Sequence, residues 1–306
     1  MAQPKTRILL QLDSDTQASS FDAVVAIDAG VEQLLQHSNV RPDEVMGLVH
    51  GLIFTRGPAD LQHSAVFVGG SSVVAGEEIF GRIKKAFFGP LRVSMMFDAN
   101  GSNTTAAAAV VAAARHVNLA GSTSTVLAGT GPVGQRIARM IVAAGGTAKV
   151  ASRSLERAST VCRAIAETLQ PQNQNDTTES HRLIPVEASD AHSTAEAVSG
   201  SELVFAAGAA GVCLLPQTVW NAAESLRVAI DLNAVPPLGI EGVDYLDKGA
   251  ERQHLVAYGA VGVGGTKMRV HTEAIRRLFS RNDLVLDADE IFSLARELEV
   301  QRSGSG

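Results

Sequence analysis

Three glycines, Gly129, Gly131 and Gly134, stand in the spacing G-x-G-x-x-G within "VLAGTGPVGQRIARM", after an apolar run and ahead of a helix-like pattern. In that setting the first glycine allows a tight turn, the second lets backbone approach a pyrophosphate, and the third permits close packing of helix on strand. The helix N-terminus offers its unsatisfied amides to the phosphates, so Thr130, Pro132 and Val133 belong to the candidate turn as well. The next strand-like run, "TAKVASRS", bears on which ribose is accepted. An acidic side chain at its end would bind the 2'-hydroxyl of NAD. Here Ser152 and Arg153 stand at that place, with Arg157 close behind and Glu156 the first carboxylate downstream. A guanidinium pairs with a 2'-phosphate and stacks on adenine, which favours NADP and leaves NAD as the lesser option. A solvated arginine at a strand end would leave the same string.

A nicotinamide cofactor needs a hydride donor, and oxidising an alcohol removes a proton along with the hydride. No obvious acid or base for that step is present. The eight histidines, His37, His50, His63, His116, His181, His192, His254 and His271, are scattered and read mostly as surface or packing residues. Neither Tyr245 nor Tyr258 has a lysine four residues later, so a Tyr-x-x-x-Lys pair is absent. The pattern points to a substrate whose hydride leaves without a proton.

These residues need a scaffold, and 306 residues at 45% hydrophobic and 19% charged can bury a substantial core, by length in about two domains. The first hundred residues alternate β-like and helix-like segments: "RILLQL", "FDAVVAIDAGVEQLLQH", "VMGLVHGLIFT", "SAVFVGG", "AGEEIFGRIKKAFF" and "LRVSMMFD". The alanine-rich segment Thr104 to Val117 reads as a helix leading to the glycine turn. Strand-like runs "RLIPVEA", "SELVFAAGAAG" and "SLRVAIDLNAVPP" follow, then the glycine-rich "LVAYGAVGVGG" and helix-like "TKMRVHTEAIRRLF" and "DADEIFSLAREL". Such alternation predicts an α/β protein with a doubly wound parallel sheet. The polar "PQNQNDTTES" reads as a loop and the terminal "RSGSG" as a disordered tail.

A net charge of -6 gives no global reason to expect nucleic-acid or anionic-membrane binding. Cys162 and Cys213 are too few for a disulfide framework and too far apart for a zinc motif, so both read as buried thiols and no metal is expected. The N-terminus lacks a signal-peptide core, and no apolar run is long enough for a bilayer. The reading is cytoplasmic, which leaves the sequons at Asn103 and Asn175 without weight.

Several strings taken together, "SSFDAVVAIDAG", "IFTRG", "FVGG", "KKAFFGP", "FDANGSNTTAAA", "LAGTGPVG", "AAGAAG", "DLNAVPPLGIEGVD" and "GAVGVGGTKMRVH", resemble the methylene-tetrahydromethanopterin dehydrogenase family of bacterial one-carbon metabolism, in particular its NADP-dependent branch. The resemblance runs from about Leu9 to Leu298, with "FDANGSNTTAAA" and "DLNAVPPLGIEG" its most specific pieces. It implies oxidation of N5,N10-methylene-tetrahydromethanopterin to the methenyl form, with hydride passing to NADP. That agrees with the missing acid and base: nitrogen lone pairs on either side of the methylene carbon stabilise the amidinium cation left behind. Positioning and electrostatics would then carry catalysis.

The resemblance further implies a homo-oligomer, a trimer or hexamer, and two α/β domains with a cleft between them. Residues 1–105 with a returning helix at 273–300 would form the pterin-side domain, and residues 106–272 the Rossmann domain, with 301–306 as the tail. Within that plan Lys267 is the leading polar candidate for contact with the pterin, although a solvated lysine at a helix start would look alike. Asn103 and Thr105 are candidates at the same site, or caps of the following helix. Phe21 and Asp22 would line the pterin pocket, by stacking and by facing the cation, or serve as a core ring and a helix cap. On the cofactor side Gly208 would admit the nicotinamide and Asn233 bond its carboxamide or ribose. Close backbone packing explains Gly208 and Gly211 as well, and a turn explains Asn233.

Three other readings remain. A bifunctional methylene-tetrahydrofolate dehydrogenase/cyclohydrolase would carry the absent Tyr-x-x-x-Lys, so no cyclohydrolase step is expected, while methylene-tetrahydrofolate stays a possible substrate. A shikimate-type dehydrogenase would carry an N-terminal Asn-x-Thr-x-Pro-x-Lys string, also missing. A non-catalytic NADP-binding sensor would bind cofactor tightly without turnover.

Overall fold

The computed structural model describes residues 5–169 and 182–304. The expected "PQNQNDTTES" loop and His181 lie outside them. The chain runs β1 (Ile8–Leu12), α1 (Ser20–Asp28), β2 (Gln33–His37), α2 (Val45–Ile53), β3 (Ser64–Val68), α3 (Val73–Ala86), β4 (Ser94–Phe97) and α4 (Ser102–Ala114). It continues through β5 (Thr123–Leu127), α5 (Pro132–Ala143), β6 (Thr147–Ser152), α6 (Leu155–Leu169), β7 (Leu183–Glu187), α7 (Ala191–Val198), β8 (Leu203–Ala206), α8 (Gln217–Ala222) and β9 (Val228–Asp231). Last come β10 (Lys248–Arg252), β11 (Leu255–Tyr258), α9 (Ala260–Arg277), β12 (Val285–Leu286) and α10 (Ala288–Gly304). Two compact units result: Met1–Thr104 with Met268–Gly306, and Thr105–Lys267.

The first unit holds a parallel sheet in the order β12-β4-β3-β1-β2. Its central strands β3 and β4 are buried throughout, as a parallel strand covered on both faces must be, whereas edge strand β2 is mostly exposed. The sequence read "FDAVVAIDAGVEQLLQH" as one segment, but the structure divides it into α1 and β2. Gly30, at φ +90, takes the left-handed conformation just beyond the helix that a side chain disfavours. Apolar positions Val45, Val49, Leu52 and Ile53 turn α2 onto the core.

The second unit has the sheet order β10-β11-β9-β8-β5-β6-β7, with β10 alone antiparallel to its neighbour. Strand order reverses between β5 and β8, the crevice where doubly wound sheets take ligands at their carboxyl ends. Helix α5 buries Gly134, Ile137, Ala138 and Ile141, a stripe at helical spacing that seats it on the sheet.

Three expectations change. The glycine-rich "GAVGVGG" is helix, because α9 already begins at Ala260. A Cβ on Gly259 or Gly262 would collide with the backbone oxygens of Asp244 and Asp247, so these glycines let the chain at the start of α9 press against other backbone. The single returning helix is instead the end of α9, a two-residue strand paired with Met95 and Met96, and α10. Residues 301–304, expected to be disordered, continue α10.

Of the two cysteines, Cys162 is buried as expected and Cys213 is exposed. Burial pushes the Cys162 thiol up to about 11, leaving almost no thiolate near neutral pH. A thiol reagent at pH 8 is therefore expected to label one cysteine in the native protein and both after denaturation. Rapid labelling of two in the native state would contradict this burial. Among the described residues, no helix is long and apolar enough to cross a membrane, and no group of His, Cys, Asp or Glu is placed to hold a metal ion.

Candidate functional site

The glycine turn leaves β5 with Ala128 at φ +51, and Gly131 caps the start of α5 with Pro132 in its first turn. Each glycine has a separate steric reason. A Cβ on Gly134 would lie 2.7 Å from the Gly129 Cα, and one on Gly129 would lie 2.7 Å from the Val126 carbonyl oxygen. At Gly131 the nearest atom would be 3.6 Å away, an ordinary contact. The fold therefore excludes a side chain at Gly129 and Gly134, while at Gly131 only a ligand would.

That difference has a measurable consequence. Gly134→Ala is expected to destabilise the protein by about 1–3 kcal/mol through overpacking against immobile backbone. Gly131→Ala should leave stability unchanged and impair dinucleotide binding, read by denaturant unfolding beside a binding titration. Equal stability losses in both variants would refute the distinction.

A cavity of about 360 Å³ opens over the ends of β5, β6 and β8. It brings together Thr130, Gly131, Ser152, Arg153, Arg157 and Gly208. Gly129, Pro132, Val133 and Gly134 are not part of its lining and shape the turn behind it. Gln135 steadies the turn by donating to the Thr130 carbonyl oxygen at 2.8 Å. The Ser152 hydroxyl accepts from the Ser154 amide at 3.3 Å, which leaves its own proton available for a ligand. Arg153 and Arg157 are exposed, and neither forms an ion pair among the described residues. No carboxylate lines the cavity; Glu187, the register neighbour of Ser152 on β7, accepts from the Ser189 hydroxyl at 2.7 Å. Such a lining, amides at a helix start beside two cations, can hold an anionic dinucleotide.

Gly208 lines the cavity, and a Cβ there would meet a side chain, Leu214 Cδ1 at 2.7 Å, rather than backbone. Asn233 does not reach the cavity. It is 6% exposed, its Oδ1 accepts from the Val235 amide at 2.9 Å, and its Nδ2 donates to the Pro237 carbonyl at 3.2 Å. Asp231 secures the same turn, accepting from the amides of Asn233 and Ile240, and burial raises its carboxyl above the usual range despite these bonds. The turn reading of Asn233 prevails because its amide is occupied by its own loop.

In the first unit, the first turn of α1 carries Phe21 and Asp22. Ser19 caps α1 by accepting from the Asp22 amide at 3.2 Å. Phe21 is 50% exposed, against the core reading, whereas the Asp22 side chain is 14% exposed. His271 lies beside them, fully buried, its Nε2 4.0 Å from Asp22 Oδ1. Asn103 is also fully buried: its Nδ2 donates to the Phe97 carbonyl at 2.7 Å and to Asp287 Oδ1 at 3.2 Å, and its backbone amide donates to Asp98. That side chain ties β4 to the start of α10 and is not placed to meet a ligand. Thr105 is half-buried in the first turn of α4. Lys267 is half-buried inside α9 rather than at its start. Tyr258 donates or accepts at 2.8 Å with His116 Nε2, and burial, aided by Arg115, lowers that histidine's pKa.

Over 294 residues the chain is 43% identical to the "Bifunctional protein MdtA" of Methylorubrum extorquens, covering 95% of this chain and 99% of that protein. It is also 32% identical over 302 residues to the "NAD(P)-dependent methylenetetrahydromethanopterin dehydrogenase" of the same organism, covering 95% and 98%. The chain belongs to the methylenetetrahydromethanopterin dehydrogenase family. Within it, residues 20–100 match the model "Methylene-tetrahydromethanopterin dehydrogenase, N-terminal". That stretch contains Phe21 and Asp22. Among solved structures, the ligand-free 5-ketofructose reductase of Gluconobacter sp. strain CHM43 superposes with a TM-score of 0.50 at 14% identity, over 96% of this chain and 99% of that one. This likeness supports the α/β architecture of the family member and nothing about its substrate.

The sequence reading placed His271 among surface or packing histidines, and it is buried; the spacing Lys267-x-x-x-His271 puts it on one face of α9 with Lys267.

Proposed function

We propose that this protein oxidises N5,N10-methylene-tetrahydromethanopterin to the methenyl form by direct hydride transfer to NADP, within one-carbon metabolism at the level of formaldehyde, and without a cyclohydrolase step. The observation that carries the cofactor half is the cavity lining: Arg153 and Arg157 with Ser152, and no carboxylate. Bound NADP supplies the hydride acceptor. Thr130, Gly131 and the start of α5 would hold its diphosphate, Ser152, Arg153 and Arg157 its 2'-phosphate, and Gly208 would leave room for its nicotinamide.

Family membership supports the substrate half, as does the chemistry of a carbon flanked by two nitrogens. Its hydride departs without a proton, so the protein needs no general base and has to orient the substrate and oppose a developing positive charge. Lys267 and Thr105 would contact the pterin, Phe21 would stack on it, and Asp22 would face the cation. Asn103 and Asn233, both occupied by internal hydrogen bonds, hold their loops instead. A cytoplasmic location and a homo-oligomeric state belong to the same proposal, the latter read by sedimentation.

The decisive experiment follows the absorbance of reduced cofactor with methylene-tetrahydromethanopterin and methylene-tetrahydrofolate, each offered with NADP and NAD. The expected result is fastest turnover with the methanopterin substrate and NADP. Absence of turnover in every combination, with NADP still bound, would replace this reading with that of a cofactor sensor.

A further inference from the structure

His271 is a polar side chain in an apolar place. It projects from α9 with 1% exposure and stacks on Phe67, ring centroids 5.5 Å apart at 29°, while the Phe21 ring lies 6.3 Å away. Leucine or phenylalanine would fill such a space without the cost of desolvating two ring nitrogens. The neighbour that gives the imidazole a purpose is Asp22, whose Oδ1 stands 4.0 Å from Nε2. That separation suits an ionic contact with a protonated ring and is too long for a hydrogen bond.

Gly69, just past β3, confines the same carboxylate from another side. A Cβ there would come within 3.1 Å of Asp22 Oδ2 and 3.0 Å of the Phe67 ring. Asp22 is therefore set between bare backbone and a buried ring, its amide fixed by the Ser19 cap.

We propose that His271 is a positioning residue for Asp22, holding the carboxylate in the orientation that opposes the amidinium cation formed in the substrate. It touches no reacting atom and acts only through Asp22. Attraction between the carboxylate and the cation depends on distance and is most effective when no reorganisation is needed during the reaction, so a freely turning carboxylate would stabilise the transition state less. This inference rests on the function proposed above.

The test is a double-mutant cycle on methylene-tetrahydromethanopterin oxidation with NADP. His271→Phe keeps the stacking on Phe67 and removes the nitrogens; it should lower kcat about tenfold with NADP affinity unchanged. His271→Gln, which returns an N–H but no charge, should leave most of that loss in place. In an Asp22→Asn background, His271→Phe should cost nothing further. Gly69→Ala, which displaces the carboxylate from the opposite side, should reproduce the loss with His271 intact.

An equal penalty for His271→Phe with and without Asp22, or wild-type kcat in a folded His271→Phe protein, would overturn the proposal. A readout independent of turnover separates it from the functional reading. The 15N signal of His271 Nε2 should move on Asp22→Asn even if the wild type oxidises neither pterin substrate, and an unmoved signal overturns the pairing whatever the activity.

Discussion

Arg153→Asp is expected to weaken NADP binding about 100-fold while changing NAD affinity by less than about threefold. The substitution removes a guanidinium from the end of β6 and sets a carboxylate where the proposed 2'-phosphate would lie. Attraction becomes repulsion for NADP, whereas for NAD the new carboxylate can accept from the 2'-hydroxyl. Because Arg153 is exposed and forms no ion pair among the described residues, its removal leaves no buried charge unpaired, and stability should stay at the wild-type level. Arg157→Ala should add a smaller loss. Raising the salt concentration should narrow the NADP preference of the wild type, since exposed cations are screened. Calorimetric titration with both cofactors checks each point; unchanged NADP affinity in Arg153→Asp would remove the 2'-phosphate assignment.

Lys267→Ala is expected to lower kcat by about 100-fold or more, with NADP affinity and the thermal unfolding transition retained. The lysine is half-buried on α9, one helical turn before His271. A polar group fixed beside a substrate contributes orientation, and orientation appears in kcat when the group's interactions strengthen in the transition state. Lys267→Arg, with the charge kept but the shape changed, should recover only part of the rate. Wild-type kinetics in Lys267→Ala would take the residue out of the site, and a lower unfolding temperature accompanying the rate loss would assign it to packing.

These two candidates arose from the sequence for different reasons. Arg153 became a candidate through the fingerprint: once a strand, a G-x-G-x-x-G turn and a helix are recognised, the end of the next strand is where such folds meet the ribose. Lys267 emerged through the family resemblance, and its local setting was misread. The glycines before it read as a separate segment ahead of the helix, although Gly259 and Gly262 are small because the start of α9 presses on the backbone of the Asp244–Asp247 turn. Glycine in a sequence does not declare whether it bends a chain or lets two chains touch.

Asn103 and Asn233 show the opposite failure. Both stand after strand-like runs, where ligands bind in such sheets, and both proved to be internal ties. The partner of Asn103 is Asp287, which lies 184 positions further along the chain. No local pattern announces such a bond. His271 was hidden similarly, since its neighbours Asp22 and Phe67 come from α1 and β3.

The sequence by itself determined the α/β class, the glycine turn and the cationic end of β6, because each depends on periodicity or on backbone geometry within a few neighbouring residues. Only the tertiary structure decided which polar side chains are occupied by the fold and which stand at a cavity. It also decided that a buried histidine accompanies Asp22. Those outcomes depend on which distant segments meet, and on the cost of burying a polar group unless another group is there to receive it.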